Sequence, residues 1–309
     1  MLNPPLFSII TVTYNSSQWV QQAIESILGA GYDNMEYLIT DDQSNDGTWE
    51  IIEQYADSRL KKFKQQTNIG EYANRNFGLR QCTGEYVLFV DGDDYLLPGT
   101  LQKLETYIKM YPGAGSIWGV YDHYYTWKNL PLLLMPEETV KWIFMANYLF
   151  AHIGFSETVF KREELLKLGG LPENFIGGDT FIKKAIALEV PVLLVPSGLI
   201  FWRISDGQAS AKLKKDYQGF RQNVRIDKEM LKRMKEKKMP VPVDIIERNI
   251  AIRNIKLLFK HTFLKRRLAD GISLFKELHF SLSDLKFLFV KGDYSFKKNT
   301  LKKSLPHGD

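Results

Sequence analysis

Apolar and polar positions alternate in two rhythms along the first hundred residues. Residues 7–13 form a continuous run rich in β-branched side chains, which is typical of a strand buried on both faces. Between Trp19 and Leu28 the apolar positions recur at helical spacing instead, and Ser16 or Ser17 can cap that helix. The alternation predicts strands at 7–13, 35–40, 60–65 and 85–90, and helices at 16–28, 46–55 and 70–79.

This order of elements predicts an α/β fold with a mainly parallel central sheet flanked by helices. Ligands in such sheets bind beyond the carboxyl ends of the strands. Polar clusters follow the four predicted strands, at 13–15, 41–42, 68–70 and 91–94. We therefore expect these four clusters to meet at one edge of the sheet and to form a binding site.

Charge divides the chain near residue 210. Residues 211–309 carry 25 lysines and arginines against 11 aspartates and glutamates, whereas residues 1–210 carry 16 against 25. A hydrophobic fraction of 44 % supports a folded core, and 309 residues allow one large α/β domain with an appendage. The single cysteine, Cys82, excludes an internal disulfide framework and fits a reducing compartment.

Asp91, Asp93 and Asp94 crowd three carboxylates into four residues directly after the fourth predicted strand. Like charges at this spacing repel one another, so stability alone does not favour the arrangement. Oxygen ligands suit the hard cations Mg²⁺ and Mn²⁺, and such an ion can bridge carboxylate and diphosphate oxygens. The alternative is a solvated turn rich in Asp and Gly. The position directly after a buried strand favours the metal site.

The other three clusters offer groups that suit a nucleotide. Tyr14 can stack on a nucleobase, although an ordinary surface turn explains it as well. Asp41 or Asp42 can accept a hydrogen bond from a base or a ribose hydroxyl, while Asp46 is expected to cap the next helix. Arg75 lies in a helix opened by a glycine, where it can either reach phosphates or face solvent.

As a set, these motifs are far more specific than any one of them. They are Ser8-Ile9-Ile10-Thr11-Val12-Thr13-Tyr14-Asn15, Asp41-Asp42-Gln43-Ser44-Asn45-Asp46-Gly47-Thr48, Asn68-Ile69-Gly70, Arg75-Asn76-Phe77-Gly78-Leu79, Thr83-Gly84-Glu85-Tyr86, and Asp91-Gly92-Asp93-Asp94 with Pro98. Their order and spacing resemble those of the inverting family 2 glycosyltransferases with the GT-A fold, of the bacterial polysaccharide and cell-envelope type. The resemblance is dense over residues 6–100, looser to about 210 and absent afterwards.

The resemblance implies a domain layout and a role for each motif. A GT-A catalytic domain would cover 1–210, with a donor-binding half at about 1–125 and an acceptor half at about 126–210, before a helical, basic region at 211–309. A cofactor ion, Mn²⁺ or Mg²⁺, would bind Asp93 directly, with Asp91 as its partner. The donor, a UDP-sugar with GDP or dTDP as alternatives, would contact Thr11, Tyr14, Asp41, Asp42, Asn68, Gly70, Arg75, Asp91, Gly92 and Asp93.

The resemblance also implies a general base. In the family, a later carboxylate in a Gly-Glu-Asp-like loop takes the proton of the acceptor hydroxyl, and Asp179 occupies the corresponding place. This chain has Gly178 where the family commonly has Glu, which leaves Asp179 as the one carboxylate of the motif. The implied reaction is a single displacement at the anomeric carbon, in which the base contributes roughly 10²–10⁴-fold. The acceptor would be a hydroxyl of a glycan or of a lipid-linked saccharide.

Ser205 marks a second departure from the family. Many relatives have an Arg-x-His at this place, with the histidine near the metal or the diphosphate. Serine is a poorer metal ligand than imidazole, so either water completes the metal shell or the grip on the donor is weaker. His152 can compensate, although a lone histidine beside an apolar run is more often packed in a core.

The basic C-terminal region interleaves lysine and arginine clusters with apolar residues. One interpretation is an amphipathic surface that docks on anionic lipid, at the inner face of the cell membrane. The other is a helical cap or an element for homo-oligomerisation. No recognition motif supports binding to nucleic acid. Because no apolar stretch reaches roughly 18 residues and no secretory signal is visible, the sequence predicts a cytoplasmic protein.

Three other functions compete with this interpretation. A dinucleotide-dependent dehydrogenase needs Gly-x-Gly-x-x-Gly after the first strand, where this chain has Thr-Tyr-Asn-Ser-Ser. A sugar nucleotidyltransferase is expected to carry a glycine-rich, basic phosphate loop at the same place. A non-catalytic scaffold on a decayed transferase fold is suggested by Ser205 and opposed by the intact Asp93 and Asp179.

Overall fold

The computed structural model describes residues 7–120, 130–145, 154–203, 217–260, 262 and 268–292. The chain divides into two compact units. Met1–Pro136 and Ala151–Ala211 form the first unit, and Glu137–Phe150 and Lys212–Asp309 form the second. The catalytic and basic roles predicted for the two sides of residue 210 stay predictions.

An eight-stranded sheet forms the centre of the first unit, with strand order 3-2-1-4-8-6-9-7. Its strands are β1 (Phe7–Thr13), β2 (Met35–Asp41), β3 (Leu60–Lys64), β4 (Tyr86–Phe89), β6 (Ser116–Val120), β7 (Leu132–Leu134), β8 (Thr158–Lys161) and β9 (Val192–Pro196). A short antiparallel pair joins β5 (Tyr95–Leu96) to β10 (Ile200–Phe201).

The pairing of the strands is parallel where the sequence predicts it. β1 is parallel to both β2 and β4, and β3 is parallel to β2. β8 runs antiparallel to its neighbours β4 and β6, and β7 runs antiparallel to β9, which itself is parallel to β6. All residues of β1 and β2 are buried, as expected for strands covered on both faces. The predicted α/β fold with a mainly parallel sheet is confirmed.

Helices flank this sheet in the first unit, and helices also make up most of the described part of the second unit. They are α1 (Val20–Leu28), α2 (Thr48–Glu53), α3 (Glu71–Gln81), α4 (Thr100–Met110), α5 (Pro136–Met145), α6 (Arg162–Lys167), α7 (Gly178–Ala187), α8 (Gln218–Glu236), α9 (Val243–Phe259) and α10 (Leu268–Glu277), with a 3₁₀ helix at Leu282–Phe289.

The predicted helix caps are wrong in detail. The N-cap residue of α1 is Trp19, which has no side-chain cap, and the Ser16 carbonyl accepts the amide of Val20 at 2.9 Å. The N-cap residue of α2 is Gly47, whose φ of 92° favours glycine. Asp46 instead lies just before it and accepts the amide of Thr48 at 3.0 Å. Its carboxylate therefore stabilises the first turn without occupying the cap position.

Close packing of α3 on the sheet positions the site described below. Gly78 faces β1, and a Cβ atom at this position would lie 2.7 Å from Ile10 Cγ2. Only glycine therefore lets α3 approach the sheet this closely. Asn74 and Arg75, one turn earlier, are consequently buried at the carboxyl ends of the strands.

The second unit is helical in its described part. A small apolar cluster joins α8, α9 and α10 through Phe220, Val224, Leu258, Leu274 and Leu278. Among the described helices, none combines the length and the apolar character needed to cross a bilayer.

Candidate active site

Polar segments meet at the carboxyl ends of the parallel strands. The amide of Asp42 donates to the carbonyl oxygen of Thr13 at 2.8 Å, and the amide of Gly92 donates to that of Val12 at 3.2 Å. A Cβ atom at Gly92 would lie 2.7 Å from Thr13 Cγ2. A side chain at this position would therefore push the acidic turn away from β1, so the turn needs its glycine.

Asp91, Asp93 and Asp94 each bring a carboxylate oxygen within 4.8 Å of the other two. Asp94 is only 1 % exposed, and within the described part of the chain its Oδ2 atom has no hydrogen-bond partner. Burial, together with the charge of Asp91, raises the pKa of Asp94 to about 8. Burial also raises the pKa of Asp91. This oxygen-only donor set could hold a hard divalent cation, which would offset the repulsion between the carboxylates.

Arg75 supplies a buried positive charge beside the acidic turn. Its side chain is 3 % exposed, and Nη2 lies 2.6 Å from Asp91 Oδ1 and 3.0 Å from Glu71 Oε1. Its guanidinium carbon lies 5.0 Å from the ring centre of Phe155. Burial alone would lower the pKa of Arg75, but Asp91 and Glu71 raise it above its ordinary value, so the side chain stays charged. Nε and Nη1 are buried and have no hydrogen-bond partner among the described residues. Both are N–H donors of the kind that bind anions.

Arg203, which the sequence reasoning missed, fixes the acidic turn from the other side. Its amide donates to Asp94 Oδ1 at 2.9 Å, and its Nε donates to the carbonyl oxygen of Asp93 at 2.9 Å. Its Nη2 donates to Gln22 Oε1 at 2.6 Å, and the guanidinium carbon lies 3.9 Å from the ring centre of Trp19. The sequence signal for Arg203 is its place as the first residue of the segment Arg203-Ile204-Ser205, where relatives have Arg-x-His.

Thr11 and Tyr14, both predicted to line a base pocket, lie in different environments. Thr11 is fully buried in β1, and its Oγ1 accepts the hydroxyl of Tyr37 at 3.1 Å. Tyr14 is 53 % exposed at the end of β1. The structure thus offers the Tyr14 ring to a ligand, whereas Thr11 lies inside the sheet.

Asp41 and Asp42 are both buried and hold loops together. Asp41 accepts the Thr13 hydroxyl at 2.9 Å. Asp42 accepts the amides of Ile69 and Gly70 at 2.8 and 2.9 Å, and the Asn68 side-chain amide donates to the Asp42 carbonyl at 3.3 Å. These bonds join the polar clusters at 41–42 and 68–70 at the start of α3. Asp41 also accepts the amide and the hydroxyl of Ser44, at 2.9 and 2.5 Å, and is fully buried. The Asp42 carboxylate has acceptor sites beyond its two bonds and can still receive a ligand N–H or O–H.

Asp179 lies in the first turn of α7 and is partly exposed. Burial raises the pKa of Asp91, and the charges of Asp93 and, to a smaller extent, Asp179 add to this rise. One helical turn later, Lys183 is 3 % exposed, and burial lowers its pKa to about 8 against the opposing effect of Asp179. Lys183 was also missed by the sequence reasoning, although its spacing of four residues from Asp179 is a readable signal. His152 and Ser205 lie outside the described residues.

Comparison with known proteins gives a family for this chain. Residues 8–182 match the model of the family described as glycosyl transferase family 2. A Campylobacter jejuni GalNAc(5)-diNAcBac-PP-undecaprenol beta-1,3-glucosyltransferase is 38 % identical over 103 residues, which are 32 % of this chain and 33 % of that protein. The Escherichia coli UDP-Glc:alpha-D-GlcNAc-diphosphoundecaprenol beta-1,3-glucosyltransferase WfaP is 40 % identical over 90 residues, 29 % of this chain and 36 % of that protein. The matched segments span less than half of these curated relatives.

Solved structures agree with the fold. Staphylococcus aureus TarS 1-349 in complex with UDP-GlcNAc superimposes with a TM-score of 0.59 at 19 % identity, covering 91 % of this chain and 78 % of TarS 1-349. The mannosyltransferase PcManGT from Pyrobaculum calidifontis, in complex with GDP-Man and Mn²⁺, gives a TM-score of 0.57 at 18 % identity, with 98 % and 89 % covered. These neighbours support the predicted GT-A fold. Because the family model matches more than half of this chain, the chain belongs to glycosyl transferase family 2.

Proposed function

We propose that this protein is a metal-dependent, inverting glycosyltransferase that moves a sugar from a nucleotide diphosphate to a hydroxyl group. The observation that carries the proposal is the pairing of the Asp91–Asp94 cluster with the buried, charged Arg75 at the sheet edge. A carboxylate cluster can bind a cation, and the guanidinium beside it has two N–H donors without a partner among the described residues. A cation and a guanidinium placed side by side are typical of sites that bind a diphosphate. The charge of Asp179 acts on the same acidic turn, since it adds to the rise in the pKa of Asp91.

The donor is proposed to be a UDP-sugar. Two structural neighbours are complexes with nucleotide sugars, TarS with UDP-GlcNAc and PcManGT with GDP-Man. UDP-Glc appears in the name of the WfaP relative. Tyr14 offers an exposed ring for the base, and Asp42 offers carboxylate oxygens for a base N–H.

A divalent cation fits Asp93 and Asp91, with Asp94 as a third oxygen donor that the sequence reasoning did not include. When bound, Mn²⁺ or Mg²⁺ supplies positive charge that stabilises the leaving nucleotide diphosphate. Arg203 holds the peptide carbonyl of Asp93 and the carboxylate of Asp94, which orients the turn toward the ligand. Arg75 donates to the diphosphate through Nε and Nη1 and keeps its bond to Asp91.

Asp179 is the proposed general base. The acceptor oxygen attacks the anomeric carbon, and its proton passes to the Asp179 carboxylate as that carbon–oxygen bond forms. The bond from the anomeric carbon to the diphosphate oxygen breaks, and its electron pair leaves with the nucleotide. A single displacement of this kind inverts the configuration. With water as the acceptor, the same steps release UDP and free sugar.

The acceptor is proposed to be a glycan or a lipid-linked saccharide at an anionic membrane surface. Two relatives carry undecaprenol-linked saccharides in their names. In the second unit, the 3₁₀ helix at 282–289 leaves Leu282 79 % and Phe289 91 % exposed, and Lys286 lies between them. This helix carries one acidic and one basic residue, but it lies within the net basic region 211–309. Exposed apolar residues in a basic region favour anionic lipid.

Vesicle binding tests the membrane contact. Co-sedimentation with vesicles of phosphatidylglycerol and phosphatidylcholine should capture the protein, while pure phosphatidylcholine should not. Leu282→Asp with Phe289→Asp should abolish capture, and Met110→Asp, the same change at a 59 % exposed site in α4, should not. If the double variant is still captured, this surface is not the membrane contact. If the surface forms a homo-oligomer instead, light scattering should show a lower molecular mass for the double variant than for the wild type.

Donor identity is tested by thermal stability. UDP-glucose, UDP-N-acetylglucosamine and GDP-mannose are each added with and without Mn²⁺, and stabilisation should require both the nucleotide sugar and the ion. Asp93→Asn should remove the effect, whereas Asp33→Asn, at an exposed turn before β2, should keep it. A non-catalytic scaffold would show the stabilisation without UDP release, and a nucleotidyltransferase would release inorganic pyrophosphate from a nucleoside triphosphate.

A further inference from the structure

One face of α3 links the acidic turn to the loop that carries Asp179. Arg75 reaches Asp91, whereas Tyr72 and Asn76 reach the loop between α6 and α7. Residues three and four apart share a helix face, so these three side chains leave α3 on the same side. A shift of this face would therefore move both parts of the site together.

Asn76 holds the beginning of the loop. Its Nδ2 donates to the carbonyl oxygen of Leu171 at 2.8 Å and to Glu173 Oε1 at 3.0 Å, and its Oδ1 accepts the amide of Leu171 at 2.8 Å. Gly170 has a φ of 82°, and a Cβ atom there would lie 2.5 Å from Asn76 Oδ1. Both polar atoms of the buried Asn76 amide group are thus hydrogen-bonded to the loop backbone at Leu171.

Tyr72 holds the end of the loop, where Asp179 lies. Its hydroxyl donates to the carbonyl oxygen of Ile176 at 3.0 Å and accepts the amide of Asp179 at 3.4 Å. One oxygen atom therefore connects the last turn of the loop with the first turn of α7. Burial, with the charges of Asp179 and Glu71, raises the pKa of Tyr72 above its ordinary value, so the phenol keeps the proton that it donates.

The Tyr72 ring also explains why residue 178 is a glycine. A Cβ atom on Gly178 would lie 2.9 Å from both Cε1 and Cζ of Tyr72 and 3.1 Å from the carbonyl oxygen of Pro172. Gly178 itself is buried against the ring. The space that a side chain at 178 would take is thus filled by Tyr72, which belongs to a different element 106 residues earlier in the chain.

We propose that Tyr72 is the positioning residue for Asp179, and that the Tyr72 ring and the absent side chain of Gly178 form a matched pair that sets the direction of the Asp179 carboxylate. This inference rests on the proposed function, in which Asp179 takes the acceptor proton. Tyr72 acts through the backbone of residues 176–179, because its hydroxyl binds the Ile176 carbonyl and the Asp179 amide.

The test is Tyr72→Phe, which removes the hydroxyl oxygen and keeps the ring. Amide hydrogen exchange of the peptide covering 173–180 should become faster, because the Ile176 carbonyl and the Asp179 amide lose their partner. UDP release from UDP-N-acetylglucosamine with Mn²⁺ and water as acceptor should lose about tenfold in kcat, since a misplaced base is costly, with KM changed less than about twofold. Tyr55→Phe, which removes a hydroxyl bond to Glu25 at 3.2 Å, is the control and should change neither measurement.

A second variant pair tests the steric half of the proposal. Gly178→Ala should lower kcat as Tyr72→Phe does, and the same change in a Tyr72→Ala background should cost less than it does alone, because the ring is gone. Additive losses would contradict the matched pair. Unchanged exchange at 173–180 in Tyr72→Phe would overturn the positioning role.

The reference variant Asp179→Asn separates the two ideas. If Asp179→Asn loses UDP release while Tyr72→Phe keeps both wild-type kcat and wild-type exchange, the positioning role is refuted and the proposed base stands. If Asp179→Asn keeps full UDP release, the proposed base fails. The exchange measurement then still decides whether Tyr72 fixes this turn.

Discussion

Removal of the Arg203 guanidinium should loosen the acidic turn measurably. Arg203→Met keeps the length of the side chain but loses the bonds to Asp93 and Gln22 and the charge over Trp19. Two hydrogen bonds contribute roughly 1 kcal/mol each, and a cation–π contact at a partly exposed site contributes roughly 0.5–1 kcal/mol. The main-chain bond from residue 203 to Asp94 survives the change. The free energy of unfolding should therefore fall by about 2–3 kcal/mol.

Guanidinium-induced unfolding, followed by tryptophan fluorescence, measures this loss. Trp19 contacts Arg203 directly and should report the change. Arg80→Met is the matched control, because Arg80 is exposed in the last turn of α3, and its effect should stay within about 0.5 kcal/mol. A loss for Arg203→Met as small as that of the control would refute the assignment of Arg203 as the residue that fixes the turn.

Two further predictions concern stability. Hydrogen bonds from Lys61 and Ser8 outweigh burial and lower the pKa of Glu36 from 4.5 to about 2, so its contribution is complete above about pH 4.5 and is lost as the pH falls through 2. One pKa unit corresponds to about 1.4 kcal/mol. The difference in the free energy of unfolding between wild type and Glu36→Gln should therefore shrink by up to about 3 kcal/mol from pH 5 to pH 2. A difference that does not change with pH would contradict this. Gly170→Ala, strained by its φ of 82° and the nearby Asn76, should destabilise by about 2 kcal/mol in urea, whereas Gly113→Ala, with open space around it, should not.

The sequence predicts the part of the fold that local patterns encode. The buried runs give β1, β2 and β4 to within a residue or two, because a strand covered on both faces needs mostly apolar side chains. β3, predicted at 60–65, lies at Leu60–Lys64 and is only partly buried. The polar residues after these strands are brought together by the parallel pairing itself. The acidic turn could therefore be located from the sequence alone.

The contacts that complete the site have no local signature. Arg203 reaches the acidic turn across 110 residues, and Asn76 reaches Leu171 across 95 residues. In the sequence, Gly178 is only a departure from the family pattern. The structure gives the physical reason, because the Tyr72 ring packs against this position. The predicted helix caps are wrong for a related reason. Asp46 accepts the amide of Ser17, far away in the sequence, as well as the amide of Thr48 in the helix that it was expected to cap.

The burial of Thr11 illustrates the same limit. Its position in the Ser8–Asn15 motif implies contact with the base, but both faces of β1 are covered and all of its residues are buried. Thr11 turns its hydroxyl toward Tyr37 of the neighbouring strand, while Tyr14 lies beyond the strand end and is exposed. A motif thus marks the segment that forms the site, and burial in the folded sheet decides which of its side chains are exposed to a ligand.

The most direct test of the central claim is UDP release by Asp179→Asn, measured beside its affinity for UDP with Mn²⁺. The account predicts that kcat falls by at least about 100-fold, because the acceptor proton has no base, while UDP affinity stays within about threefold of wild type. This split follows from the separation of the base on α7 from the acidic turn and Arg75. Undiminished UDP release in Asp179→Asn, or UDP binding that Mn²⁺ does not affect, would contradict the account.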